Sequence, residues 1–201
     1  MSYLNYISEK AENIKTIFCY SGKFQPFHRG HFYSYNQALD EFNCPLYIIT
    51  SNKHDDEDHP FSFVEKRAII STMFNSIDSN SIINIKRPYS AEEICFKLDL
   101  DINKTIIVFG LGIKDSDRFE DQEYYKPYKS SIQLHTADKN SYLYDLPQLN
   151  LKLNDEVIKG SKIRELWRDQ TDRENILLFK KIYGSFDDDI FQLFNRKLKG
   201  A

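Results

Sequence analysis

The chain has few of the residues that mark specialised protein classes. Its 201 residues include three cysteines, seven glycines and one tryptophan, and Lys plus Arg (27) do not outnumber Asp plus Glu (30). Cys19, Cys44 and Cys95 form no Cys-x-x-Cys pair, which indicates a reducing compartment and argues against structural zinc. The formal net charge of −3 argues against a general nucleic-acid binder, because affinity for the phosphate backbone comes from a basic surface.

Long apolar runs are also absent. No stretch approaches the length of a membrane span, and the N-terminus lacks the apolar core of a signal peptide. The sequence therefore predicts a cytoplasmic protein without a membrane partner, whose phosphate-bearing ligands are small-molecule nucleotides. A homo-oligomer is compatible with this sequence.

Apolar, β-branched runs recur along the chain, with helical patterns between them. This alternation predicts an α/β fold, a Rossmann-like doubly wound parallel sheet of about five strands. After about residue 160 only helical patterns remain, so we expect a single domain over 1–201, with a core of about 14–160 and a helical C-terminal subdomain of about 161–201. The predicted strands cover residues 16–20, 45–50, 82–86, 105–110 and 131–135.

Helix starts carry capping boxes, a Ser or Thr followed three residues later by Glu. Such pairs are Ser62 with Glu65, Ser90 with Glu93, and Thr171 with Glu174. A further helix is predicted from about residue 30 to residue 41.

The most informative segment is the run from Tyr20 to His31, directly after the first predicted strand. A strand, Gly22, Lys23, and the two histidines His28 and His31 at the start of a helix are typical of a phosphate-handling site, because unpaired N–H groups and cations there face an anion. Two histidines three residues apart also suit a metal ion or a packed helix turn.

The segment Gly22-Lys-Phe-Gln-Pro-Phe-His-Arg-Gly-His31 resembles the signature of the HxGH nucleotidyltransferase superfamily of cytidylyltransferase-like proteins. It is most similar to the archaeal and phage-type nicotinamide-nucleotide adenylyltransferases. The resemblance implies catalytic roles for Lys23, His28 and His31, and nucleotide binding by Gly22, Phe24, Gln25 and Gly30.

A second phosphate-binding pattern lies at Val157–Arg164, where a glycine, a serine and two cations begin a helix. Taken alone it is typical of an ordinary N-cap with solvated basic residues. It resembles the second motif of the superfamily, which implies that Gly160, Ser161, Lys162 and Arg164 hold the β- and γ-phosphates. The chain has Lys159 where the family usually has Ser, and Ser161 where it usually has Thr.

A third segment, 59–67, resembles the Asn-Pro-Phe-Thr-x-Gly-Glu-Arg stretch of the archaeal-type NMN enzymes. Lys66 and Arg67 then either contact the acceptor phosphate or lie on an exposed helix face. The acidic run 54–59 before it is interpreted as a solvated loop rather than a metal site, because consecutive carboxylates cannot all converge on one ion. Asp58 stands where those enzymes tend to have a basic residue.

The loop after the fourth strand resembles the one that receives the nucleobase and ribose in the superfamily. Gly110 and Gly112 permit close approach, and Asp115, Asp117 and Arg118 are candidates to bind ribose or phosphate. Trp167, the only tryptophan, either stacks on the acceptor ring or belongs to a core stripe with Ile163 and Leu166.

The resemblance implies transfer of a nucleotidyl group from a nucleoside triphosphate to a phosphorylated acceptor, with pyrophosphate released. ATP and NMN, giving NAD, are the first choice. His28 and His31 would donate hydrogen bonds to the triphosphate, and Lys23, Lys162 and Arg164 would neutralise the leaving group. Mg²⁺ would be held by the ATP or CTP substrate rather than by protein side chains. The alternatives are a cytidylyltransferase acting on a polyol or amino-alcohol phosphate, a phage-type enzyme joining a pyridine base or nucleotide to an activated adenosine compound, and a non-catalytic nucleotide-binding module.

Overall fold

The computed structural model describes residues 14–54, 56–112, 119, 122–131, 133–153 and 156–200. Its strands are β1 (Lys15–Ser21), β2 (Leu46–Thr50), β3 (Ile82–Asn84), β4 (Thr105–Gly112), β5 (Tyr125–Pro127), β6 (Ser141–Leu146), β7 (Lys152–Leu153) and β8 (Glu156–Val157). Its α-helices are α1 (Arg29–Glu41), α2 (Phe63–Met73), α3 (Ala91–Lys97), α4 (Gly160–Asp169), α5 (Asp172–Tyr183) and α6 (Asp188–Leu198).

Six strands form one sheet in the order β3-β2-β1-β4-β6-β5, and β7 and β8 form a separate hairpin. Each neighbouring pair in the large sheet is parallel. Parallel strands need crossover connections, which carry α1, α2 and α3 between β1 and β4, and they leave their carboxyl ends at one common edge. The predicted Rossmann-like α/β fold with a helical C-terminal region is therefore confirmed, with six strands instead of about five.

The strand predicted over 131–135 is wrong, because none of its described residues (131 and 133–135) is in a strand. This segment lies in the connection between β5 and β6. Leu134 is partly buried against the core there, and the backbone N–H of His135 donates to the hydroxyl of Tyr142 (2.6 Å). Leu134 thus packs against the core without joining the sheet, and the strand pairing is supplied by β5 and β6.

The sheet is buried on both faces, which accounts for the continuous apolar runs of its strands. In β1, Phe18 and Tyr20 point into one core cluster, whereas Ile17 and Cys19 point into the other. This division follows from the two-residue period of a strand. The first cluster is covered by α1, α2 and the C-terminal helices, and the second by α3.

Helix capping sets where the helices begin. The boxes at Ser62 and Thr171 are complete, with the serine or threonine accepting from the Glu backbone and the Glu side chain accepting from the cap. Ser90 accepts from the N–H of Glu93, but the Glu93 carboxylate accepts from the backbone N–H of Arg87 (3.0 Å) and its Nε. That third cap is therefore half of a box, because a nearby arginine takes the carboxylate.

The helices α4, α5 and α6 pack together through aromatic side chains. Trp167 is fully buried, its ring lies beside those of Phe191 and Phe194, and its Nε1 donates to Asn195 Oδ1 (2.9 Å). Within the described residues, every helix is too short or too polar to traverse a lipid bilayer.

Candidate active site

A cleft of about 650 Å³ opens at the edge of the sheet where the parallel strands end. The loop that follows β1 forms one wall, and the first turn of α4 forms the opposite side. Residues at or after the ends of β2, β3 and β4 complete the lining. Its lining includes Gly22, Lys23, Phe24, Gln25, His31, Ser51, Lys53, Asp58, Pro88, Tyr89, Gly112, Gly160, Ser161 and Arg164. The cleft therefore brings together segments from Gly22 to Arg164 that are far apart in the sequence.

His28 and His31 cap the start of α1. His28 is the N-cap residue, and its Nδ1 accepts a hydrogen bond from the N–H of Gly30 (3.1 Å). In return, His31 Nδ1 accepts from the backbone N–H of His28 (3.2 Å). This is the reciprocal geometry of a capping box, with imidazole nitrogens in the places of a serine oxygen and a glutamate oxygen.

The capping geometry fixes the protonation of both rings. Burial lowers the pKa of His28 to about 4, and burial together with neighbouring His28 lowers the pKa of His31 well below its ordinary value. Both imidazoles are therefore neutral near pH 7. Because each Nδ1 accepts a hydrogen bond, each ring carries its proton on Nε2. The pair thus offers two Nε2–H donors that need no prior loss or gain of a proton.

Aromatic rings hold His31 at the cleft. Its ring lies tilted beside that of His28 at 4.0 Å between centroids, is nearly perpendicular to the Phe24 ring at 5.2 Å, and lies 5.3 Å from Phe27. Phe24 is buried with a positive φ of 48°. A Cβ on Gly22 would lie 2.8 Å from the Phe24 ring, so Gly22 is required for this ring to fold back over the loop.

Arg164 is the most strongly bound cation at the cleft. It is buried in the first turns of α4, and its Nη1 donates to the carbonyl of Gln25 (2.7 Å), its Nη2 to Asp58 Oδ1 (2.8 Å) and its Nε to the carbonyl of Glu57 (3.1 Å). Lys23 is exposed on the loop after β1 and also lines the cleft. The cleft thus contains one cation from the loop that carries the histidines and one from α4.

A profile of the cytidylyltransferase-like family matches residues 19–166, which is most of the chain and includes every segment that lines this cleft. The chain belongs to the cytidylyltransferase-like family. Among curated protein sequences, none matches the chain significantly.

Solved structures of adenylyltransferases share the fold of this family member at low identity. One is a bifunctional NMN adenylyltransferase/ADP-ribose pyrophosphatase of Francisella tularensis in complex with AMP and a manganese ion, with a TM-score of 0.56 and 15% identity over 93% of this chain. The chain spans about half (51%) of the length of that enzyme. Another is the nicotinic acid mononucleotide adenylyltransferase of Plasmodium falciparum in complex with NaAD, with a TM-score of 0.55, 17% identity, and coverage of 90% of this chain and 96% of that one. Membership of this family supports nucleotidyl transfer as the reaction class, and these neighbours share its fold.

Several residues predicted to bind nucleotide lie at the cleft but have structural partners. The amide of Gln25 is buried, with Nε2 donating to the carbonyl of Phe61 (2.8 Å) and Oε1 accepting from the Phe61 N–H (3.0 Å). Gly160 leaves room for the loop, because a Cβ there would lie 2.8 Å from the carbonyl oxygen of Gln25. Ser161 is exposed at the cleft, as expected of a phosphate ligand.

Other predicted residues lie behind or beside the cleft. Gly30 packs against the His28 ring, and a Cβ on Gly110 would lie 2.6 Å from Leu146 and Phe18, so tight packing rather than a ligand explains both glycines. Lys162 pairs with Glu165 (2.8 Å) and does not line the cleft. His28 is buried behind His31.

The predicted acceptor contacts need correction. Lys66 is buried and its Nζ donates to Thr50 Oγ1 (3.0 Å) and to the carbonyl of Ser51 (2.7 Å), while burial lowers its pKa to about 8. Arg67 is exposed on α2 above the ring of Phe63. Trp167 is core, as described above. Lys66 therefore fixes the end of β2 from behind, and none of the three lines the cleft.

Asp115, Asp117 and Arg118 lie outside the described residues. In contrast, the structure adds Pro88 and Tyr89 to the cleft, which the sequence did not single out. Ser21 Oγ donates to the carbonyl of Pro88 (2.8 Å), and Tyr89 donates to the carbonyl of Ser21 (3.2 Å). The available signal was their position directly after β3, at the same edge of the sheet as the histidine loop.

The described residues hold no group of three or more His, Cys, Asp or Glu side chains placed to bind a metal ion. The acidic run shows why: Asp56 accepts from His59 (2.7 Å), Asp58 is bound to Arg164, and Glu57 to Arg168. The carboxylates of Asp56, Glu57 and Asp58 therefore bind separate partners and do not converge on one point.

Proposed function

We propose that the protein is a nucleotidyltransferase that joins the adenylyl group of ATP to NMN, forming NAD and pyrophosphate. The observation that carries this proposal is the neutral His28–His31 pair at the start of α1, with His31 at a cleft that Lys23 and Arg164 flank. NMN and nicotinic acid mononucleotide adenylyltransferases among the structural neighbours support adenylyl transfer to a pyridine nucleotide.

The reaction needs no nucleophilic side chain. A phosphate oxygen of the acceptor attacks the α-phosphorus of the triphosphate, a new P–O bond forms, and the bond to the bridging oxygen breaks to release pyrophosphate. Catalysis by this chain is then positioning and stabilisation of charge on the phosphate oxygens.

The cleft supplies this stabilisation from fixed groups. His31 donates from Nε2 to a phosphate oxygen. His28 keeps the His31 ring oriented, because the backbone N–H of His28 donates to the ring and the two rings are in contact. Lys23 and Arg164 offset the negative charge that moves onto pyrophosphate. Because the His31 ring is oriented before substrate arrives, it need not reorganise as charge develops.

A divalent cation would accompany the triphosphate and neutralise its phosphate oxygens. The Francisella neighbour, which contains AMP and a manganese ion, supports this part of the proposal. In this chain the triphosphate itself would hold the ion, while Lys23, Ser161 and Arg164 would hold the phosphates.

The test is pyrophosphate release with Mg²⁺ across a matrix of ATP and CTP against NMN, nicotinic acid mononucleotide, glycerol 3-phosphate and phosphocholine. We expect turnover with ATP and NMN, and loss of it in a His31→Ala control. Turnover only with CTP would replace the proposal by cytidylyl transfer. If no combination released pyrophosphate although the protein bound ATP, the result would contradict catalysis of these reactions and favour a nucleotide-binding module.

A further inference from the structure

A strap of residues 56–61 lies between β2 and α2 and borders the cleft through Asp58 and His59. Gln25 holds one end through its two hydrogen bonds to the Phe61 backbone. Arg168 holds the other end, with Nη1 donating to the Glu57 carboxylate and Nη2 to the Glu57 carbonyl (3.3 Å). Between them, the backbone N–H of His59 donates to the carbonyl of Asp56 (3.1 Å). The strap is thus anchored at both ends, with its centre at the cleft.

Asp58, at this centre, is bound to the cation on which the proposed function relies. Its Oδ1 accepts from Arg164 Nη2 at 2.8 Å, although 79% of its side chain is exposed. A guanidinium binds carboxylates and phosphates with the same planar set of donors. The Asp58 carboxylate therefore occupies a donor that would otherwise face a phosphate oxygen in the cleft.

The other contacts of Arg164 do not depend on Asp58. Nη1 and Nε donate to the backbone carbonyls of Gln25 and Glu57, which keep the guanidinium in place when its third partner changes. An exposed carboxylate that leaves an arginine returns to water, so the exchange of one anion for another costs little. Arg164 is thus a fixed cation with one exchangeable partner.

We propose that Asp58 is a specificity-determining residue that competes with substrate phosphates for Arg164, so that the cleft admits polyphosphates and excludes weaker anions. This inference rests on the proposed function, because it takes the cleft to be the triphosphate site. A polyphosphate carries several charges and also meets Lys23, whereas a single phosphate must displace Asp58 with less gain. The acidic strap then raises the charge that an anion needs in order to bind in the cleft.

Calorimetric titration with sodium tripolyphosphate and with inorganic phosphate, at constant ionic strength, tests the competition. We expect Asp58→Asn to tighten tripolyphosphate binding about two- to fivefold, which lies within the range that loss of an exposed ion pair accounts for. Inorganic phosphate should gain more than tripolyphosphate, because it lacks the further charges that meet Lys23 and depends more on Arg164, so that the preference for the polyphosphate falls; an equal gain for both ligands would overturn the claim of specificity. Glu57→Gln is the matched control, because it removes the same charge from the same strap at a residue that does not line the cleft, while its amide oxygen can still accept from Arg168 and keep the strap anchored. It should change neither affinity by more than about twofold.

Unchanged or weaker tripolyphosphate binding by Asp58→Asn would overturn the inference, because Asp58 would then support Arg164 rather than compete for it. Equal tightening by Glu57→Gln would also overturn it, since the effect would be one of overall charge. Tripolyphosphate binding needs no acceptor, so the two proposals fail separately. Turnover of NMN without tightening in Asp58→Asn rejects only this inference, whereas tightening without any turnover rejects only the proposed reaction. No tripolyphosphate binding by either protein rejects this inference, and turnover with ATP and NMN then decides the proposed reaction by itself.

Discussion

Protonation of His28 should destabilise the fold over a defined pH range. The pKa of His28 is lowered from 6.5 to about 4 in the folded protein, so between these values the unfolded chain binds a proton that the folded chain does not. Stability therefore rises with pH across this window and falls as the pH drops through it. We expect wild type to lose stability that a variant without the His28 imidazole retains.

The expected loss follows from the size of the pKa change. A drop from 6.5 to about 4 corresponds to about 3 kcal/mol of unfolding free energy lost by pH 4. Protonation also removes the acceptor at Nδ1, so the N–H of Gly30 loses its cap. The matched variant is His28→Asn, whose side-chain oxygen keeps an N-cap acceptor but does not titrate.

Urea unfolding at a series of pH values measures this loss, with the buried Trp167 as the fluorescent probe and circular dichroism as a check that unfolding is two-state. The carboxylates are present in both proteins, so the difference between wild type and His28→Asn reports the loss of His28 together with its effect on neighbouring His31, whose pKa His28 helps to lower. Parallel loss of stability by the two proteins would refute the reasoning, because it would mean that the folded protein does not disfavour the His28 cation.

Three further outcomes are expected. His31→Ala should lower kcat about 10²-fold, as loss of one oriented donor does, and near-normal kcat in a folded protein would contradict its role. Gly22→Ala should cost about 1–3 kcal/mol of stability in urea unfolding, because its Cβ would lie 2.8 Å from the Phe24 ring, and an unchanged midpoint would show that the ring moves freely. Trp167→Phe should lower the free energy of unfolding by about 1–3 kcal/mol, because packing and the hydrogen bond to Asn195 are lost. The KM for the acceptor should not change, and a raised KM would indicate that Trp167 contacts the acceptor.

The parts of the site that the sequence could predict are local ones. The run from Gly22 to His31 is contiguous, and a glycine turn followed by a capped helix is set by neighbours along the chain. The helix starts at Ser62 and Thr171 were predictable for the same reason, because a capping box involves only four residues.

Lys66 is buried, and the sequence contains the signal that places it on the buried face of α2. With Ser62 as the N-cap, Lys66 shares a helix face with Ile69, Ile70 and Met73, and all four side chains are buried. Positions i, i+3, i+4 and i+7 lie on one side of a helix, so the spacing already placed the lysine toward β2.

The remaining differences depend on long-range pairing. β5 and β6 pair in parallel with each other, and segment 131–135 lies in the connection between them. Nothing within residues 131–135 indicates that this segment stays outside the sheet. The partners of Arg164 likewise come from loops far away in the sequence, so the contact with Asp58 could not be read from either motif. Sequence periodicity describes what one segment can form, whereas partner choice depends on the whole fold.

The contact of Arg164 with the carbonyl of Gln25 joins residues 139 positions apart. As the chain is synthesised, the histidine loop emerges early, but its arginine follows only when most of the protein has been made. The proposed anion site would thus be incomplete in any N-terminal fragment that ends before α4. Under the proposed function, polyphosphate would bind and stabilise only chains that have completed this closure, so substrate would act as a selective stabiliser of the finished fold.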